Sequence, residues 1–146
     1  MRCVAAGLVF APNDEADPAM GREDLLRAAD LLRVGLAGTL RDYVLETADG
    51  QRRPLHAIDY NGQPAGYAST PGQVVNYVEN HDNETLFDLN AYRLPRGTPA
   101  HDRARVQVLG MASTAFSQGV AYFHAGIDTL RSKSMDRNSY DSGDWF

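Results

Sequence analysis

The sequence predicts an α/β fold with a parallel βαβ unit in its second half. Three observations carry this. "VVNYV" (74–78) is a β-branched and aromatic run that ends in a polar cluster, Glu79-Asn80-His81-Asp82-Asn83-Glu84. A helical period follows over about 102–117, with Val108, Met111, Ala112, Ala115 and Phe116 at i, i+3, i+4, i+7 and i+8. "VAYFHAG" (120–126) is then a second strand, followed by another polar stretch. Strand, helix and strand in that order make the two strands parallel. The carboxyl ends of parallel strands open on one edge, where sites sit in open sheets and barrels alike. "ENHDNE" and "HAGIDTLRSK" therefore belong on the same edge.

The first half reads as follows. "GREDLLRAADLL" (21–32) is a helix with Glu23 and Asp24 in its first turn, where the helix dipole favours acids. Leu25, Ala28, Ala29 and Leu32 form its apolar face, and Gly35 and Gly38 are expected to break it. "VLETADGQRR" reads as a strand, an Asp-Gly turn and a return strand. Residues 59–73 carry Asn61-Gly62, Pro64, Gly66 and Pro71-Gly72 and read as loop. "TLFDLNAYR" begins a further helix, and "LPRGTPAHD" is a second loop.

Composition narrows the function classes. A net charge of -5 with dispersed arginines is unlike a nucleic-acid footprint. No stretch reaches the ~18 apolar residues of a membrane span. "MRCVAAGLVFAPN" is too short and too interrupted by Gly7 for a clear signal peptide and reads as a structural segment. The single Cys3 can form no internal disulfide. No His, Asp and Glu set has metal-site spacing, and His56 and His101 read as surface residues. Trp145 and Phe146 at the very end suggest a chain cut from something longer. From local pattern alone, the 79–84 cluster either caps a helix through Asp82 or Asn83 or does chemistry.

"VNYVENHDNETLFD" together with "FHAGIDTLRSKSMDRNSYDSGDWF" resembles the type I pullulanases and limit dextrinases of the α-amylase superfamily of glycoside hydrolases. "DLLRVGLAGTLRDYVL" and "DYNGQPAGYA" resemble the region before strand seven of those enzymes. The resemblance is weakest over 1–20 and 94–101. It implies that residues 1–146 are the C-terminal portion of a (β/α)8 TIM barrel, about strands seven and eight with their helix and loops. A complete barrel needs about 250 residues, so this chain does not close one.

The resemblance implies α-1,6-glucosidic cleavage in pullulan, glycogen or limit dextrins, with retention. Retention needs a nucleophile and an acid about 5–5.5 Å apart. The family motifs that carry them, resembling G-F-R-F-D and G-E-x-W, are absent here, so the chain is expected to be inactive alone. Asp82 aligns with the third acid, which holds hydroxyls of the sugar under attack and stabilises the transition state. His81 aligns with a second hydrogen-bonding residue on that sugar. Asn83 contacts the next sugar or caps the helix. The tail loop "RSKSMDRNSYDSGD" is expected to wall the cleft, and Arg131, Arg137, Asn138 and Tyr140 are candidates for sugar contacts, with Asn138 standing where the family often has Asp. His124 and Asp128 are expected to orient the loop. The implied partner is an α-glucan, with neither nucleic acid nor membrane, and open sheet edges invite self-association. No cofactor is implied for this segment; calcium occurs in relatives, but nothing here demands it. The other reading is a non-catalytic α-glucan-binding module derived from such an enzyme.

Overall fold

The computed structural model describes residues 21–143. Cys3, the 1–13 stretch and the Trp145–Phe146 pair lie outside the described residues.

Helix α1 spans Arg22–Leu36, longer than the sequence suggests. The Gly21 N–H donates to the Asp24 carboxylate at 2.9 Å, which holds the first turn. Gly35 does not break the helix. It lies beside Val34, which is buried to 2% exposure, and burying that side chain offsets the cost of about 1 kcal/mol of a helical glycine. The stop is at Gly38, where φ is 70°. The Gly38 N–H donates to the Gly35 carbonyl and the Thr39 N–H to the Val34 carbonyl, the Schellman arrangement.

Strands β1 (Val44–Glu46) and β2 (Arg52–Pro54) form the expected antiparallel hairpin. Its turn is tied to α1 by the buried Asp30, which accepts from the Ala48 N–H at 2.9 Å. Val34, Leu45, Leu55, Ile58 and Ala65 close a small apolar core, with Leu31 and Ala37 packed against it. Residues 59–73 are not all loop. β3 (Asp59–Tyr60) and β4 (Gln63–Pro64) pair around Asn61-Gly62, both with positive φ, as a two-residue hairpin requires. All four strand residues are exposed, so no alternation marked them.

In the second half, β5 (Val75–Asn76) and β6 (Val120–Ala121) pair in parallel, Val75 with Val120 and Asn76 with Ala121. Both are shorter than the expected runs. Between them lie α2 (Leu86–Arg93) and α3 (Ala100–Ala115), which make the βαβ unit. The expected apolar face of α3 is not its buried face. Val108 is 62% and Phe116 83% exposed, whereas Gln107 and Thr114 are buried. The inward side carries Gly110, close against Leu86, and Gln107, whose amide donates to the Ile127 carbonyl at 3.0 Å. A helix buries whichever side its neighbours cover, and within the described residues α2 and the 127–129 turn cover the polar one.

Candidate functional site

Both polar clusters leave the carboxyl ends of β5 and β6. Just past the paired residues, Tyr77 and Tyr122 meet edge to face, with ring centroids 5.9 Å apart. Beyond them the chains diverge into 79–84 and 124–137, and a set of polar contacts joins the two.

The start of α2 decides what Asp82 and Asn83 are free to do. Its N-cap is Thr85, fully buried, whose hydroxyl accepts from the Asp88 N–H at 3.1 Å. The Leu86 N–H donates to the buried Glu79 carboxylate at 2.5 Å. Two orphan donors of the first turn are thus satisfied without Asp82 or Asn83, so neither caps the helix. His81 and Asp82 are exposed. The Asp82 N–H donates to the Asn80 side-chain oxygen at 2.8 Å, and the Asp82 carboxylate accepts from the Asn83 amide at 3.1 Å. Asn83 has φ 60°, which bends the loop sharply.

The loop is held from behind. Lys133 is 1% exposed, the largest fully buried side chain of the described residues. Its ammonium donates to the His81 carbonyl at 3.0 Å and to the Asn83 carbonyl at 2.5 Å, on either side of Asp82. Lys133 is in turn fixed by buried Asp88, which accepts from the Lys133 N–H at 2.7 Å and the Ser132 hydroxyl at 2.5 Å.

A second polar line runs through His124. Its Nδ1 is 3.1 Å from the Glu79 carboxylate, and its Nε2 faces the Arg131 guanidinium. His124 is thus held between Glu79 and Arg131, while Asp128 is exposed. Arg137 lies over the outer face, 3.2 Å from Glu84 and 3.3 Å from the Asn83 side-chain oxygen. Tyr92 donates to the same Glu84 carboxylate at 3.2 Å. Burial first, and then the Glu84 charge, pushes the Tyr92 phenol up.

The structure therefore joins Arg137 directly to Asn83, whereas Arg131 reaches His124, which contacts Glu79 at the start of the same loop. Asn138 and Tyr140 follow Arg137 in the same loop: both are exposed, Tyr140 to 86%, and among the described residues no hydrogen bond joins either to 81–83. In their loop the Asp136 carboxylate accepts from the Ser142 hydroxyl and the Asn138 N–H, which hold it below the usual carboxylate range. Glu79, Asp88 and Lys133 do not stand out in the sequence as a connected set. Glu79 and Lys133 at least lie in the charged stretches "ENHDNE" and "RSKS"; Asp88, inside a helical pattern, carries no such signal. His56 and His101 are exposed as expected, beside Asp42 and Asp102. No group of three or more His, Cys, Asp or Glu among the described residues could hold a metal ion. None of the described helices is long and apolar enough to cross a membrane.

Known proteins share this segment. A pullulanase of Klebsiella pneumoniae is 42% identical over 143 residues, 98% of this chain and 13% of that protein. Pullulanase 1, chloroplastic, of Arabidopsis thaliana is 40% identical over 143 residues, 96% of this chain and 15% of its own length. The crystal structure of Klebsiella pneumoniae pullulanase complexed with maltotriose matches 97% of this chain and 13% of its own, at 42% identity and a TM-score of 0.89. No protein-family model matches the chain. The chain spans 13–15% of the length of these relatives. With sequence and backbone path shared along nearly its whole length, the chain belongs to the pullulanase family.

Proposed function

We propose that this chain forms part of a retaining hydrolase that cleaves α-1,6-glucosidic bonds in α-glucans such as pullulan, glycogen or limit dextrins. It supplies about strands seven and eight of a (β/α)8 barrel, with β5 and β6 as their cores. One observation carries the reading. The parallel pair sends two polar loops to one edge, where His81 and Asp82 are exposed and released from capping duty.

Asp82 holds hydroxyls of the sugar under attack. As that ring flattens towards an oxocarbenium ion, a fixed carboxylate binds it more strongly than it binds the ground state, and this lowers the barrier. His81 binds the same sugar. Asn83 and Arg137 reach the neighbouring unit, Arg131 lines the cleft behind them, and Asn138 and Tyr140 form its outer wall. The nucleophile and the general acid come from other strands of the barrel, so this chain alone does not turn over. The exposed apolar side chains of Val75, Val120, Val108 and Phe116 are faces that the rest of the barrel covers. The same faces weigh against a self-contained binding module, which would bury them.

The test is a chimaera: residues 1–146 replace the matching segment of Klebsiella pneumoniae pullulanase. Pullulan hydrolysis is expected, and Asp82→Asn should lower kcat at least ~100-fold. A folded chimaera without activity, or one indifferent to Asp82→Asn, refutes the proposal.

A further inference from the structure

We infer that Lys133 is a positioning residue for Asp82; the inference rests on the role of Asp82 proposed above. A buried ammonium normally pairs with a carboxylate. Lys133 is 1% exposed, yet among the described residues no carboxylate pairs with its ammonium, although its charge reaches Asp136 and helps lower that carboxyl. Its ammonium is instead directed at two carbonyl oxygens, those of His81 and Asn83. These are the residues immediately before and after Asp82. For both carbonyls to converge on one cation the chain must turn tightly between them, and the left-handed Asn83 supplies that turn. The ammonium thus clips the backbone from its buried side while the Asp82 side chain stands exposed on the loop.

The clip is itself anchored. Asp88 receives the Lys133 N–H and the Ser132 hydroxyl. Asp88 sits in the first turn of α2, whose N-terminus is held by Thr85 and Glu79. A helix end, a buried acid and a buried cation therefore form one chain of contacts that ends on the two peptide groups flanking Asp82. A lysine suits the task because its compact charge carries three donors that can face two acceptors at once. Arginine, planar and longer, cannot place its donors at the same point.

The test uses the chimaeric pullulanase described above. Lys133→Met should lower kcat on pullulan about 100-fold, the size of effect that a displacement of about 1 Å has on an oriented group, with KM changed less than about twofold. The discriminating measurement is a double-mutant cycle with Asp82→Asn. If Lys133 acts through Asp82, adding Lys133→Met to Asp82→Asn should cost less than about threefold more. If Lys133→Met does not accumulate as folded enzyme, Lys133→Arg carries the same cycle, with an expected loss of about tenfold in kcat. Unchanged kcat in the folded variant, or losses that simply multiply, overturns the inference. Asp82→Asn with full activity overturns the proposed function itself, and the two failures are told apart by that single variant.

Discussion

The two halves of the described chain solve the problem of burial in opposite ways. Residues 21–68 close an apolar core of their own around Leu55, which is fully buried. Residues 74–137 bury mainly polar groups, Glu79, Thr85, Asp88, Asn90, Gln107, Thr114 and Lys133, beside the apolar Val74, Leu86, Leu94 and Ile127. The apolar side chains of Val75 on β5, Val120 on β6, and Val108 and Phe116 on the outer side of α3 face outward. An apolar core is non-directional and tolerates small shifts in its neighbours. A buried polar network does not, because each donor and acceptor left unmatched carries its full desolvation cost. The first half therefore suits a scaffold. The second suits a loop held in one geometry.

The contrast breaks most directly at the apolar core. Leu55→Ala should destabilise the chain by about 2–5 kcal/mol, whereas Phe116→Ser should stay within about 0.5 kcal/mol. Urea unfolding of the 146-residue chain, followed by circular dichroism, measures both. Equal losses would mean that Phe116 is buried in solution and that the outer side of α3 is a second core. Next comes the polar half. Asp88→Asn keeps the shape but faces an amide towards the Ser132 and Lys133 donors, at a cost of about 1.5–3 kcal/mol in the same measurement.

A finer comparison lies within the loop. Thr85→Ala should cost about 1 kcal/mol as the loss of a helix cap, while Asp82→Ala should leave stability within about 0.5 kcal/mol. The reverse order would return Asp82 to a capping role. The smallest effect is that of pH on the tail loop. Asp136 has its pKa lowered in the folded chain by the Ser142 hydroxyl and then by the Asn138 N–H. Its contribution is present above the ordinary carboxylate range and is lost as pH falls through the lowered value. Ser142→Ala should move the Asp136 titration, followed by carboxyl NMR shifts, back up towards the ordinary aspartate value.

Much of the fold is legible in the sequence because its signals are local. The α1 period, the Asp49-Gly50 turn and the sequence of strand, helix and strand all act within one element or its neighbours. The differences have physical causes. Gly35 reads as a helix breaker, but the buried Val34 beside it carries the helix on to Leu36. The β3–β4 hairpin leaves no pattern because its strands bury nothing. The apolar stripe of α3 is real as a pattern, yet it lies on the exposed side of the helix. At the site, His81, Asp82 and Asn83 stand out as a dense polar motif at a strand end. Lys133 does not, because a lysine among serines and aspartates has the sequence surroundings of a solvated loop.

By itself the sequence determined the local elements, the parallel order of β5 and β6, and the family resemblance of the motif around Asp82. Only the tertiary structure decided which polar groups meet. The Glu79–His124, Lys133–His81 and Arg137–Asn83 contacts join residues 45, 52 and 54 positions apart. No local propensity encodes such pairs. They form because two short parallel strands and the helices between them bring two loops to one edge. There, buried donors and acceptors must find each other or bear the cost of desolvation.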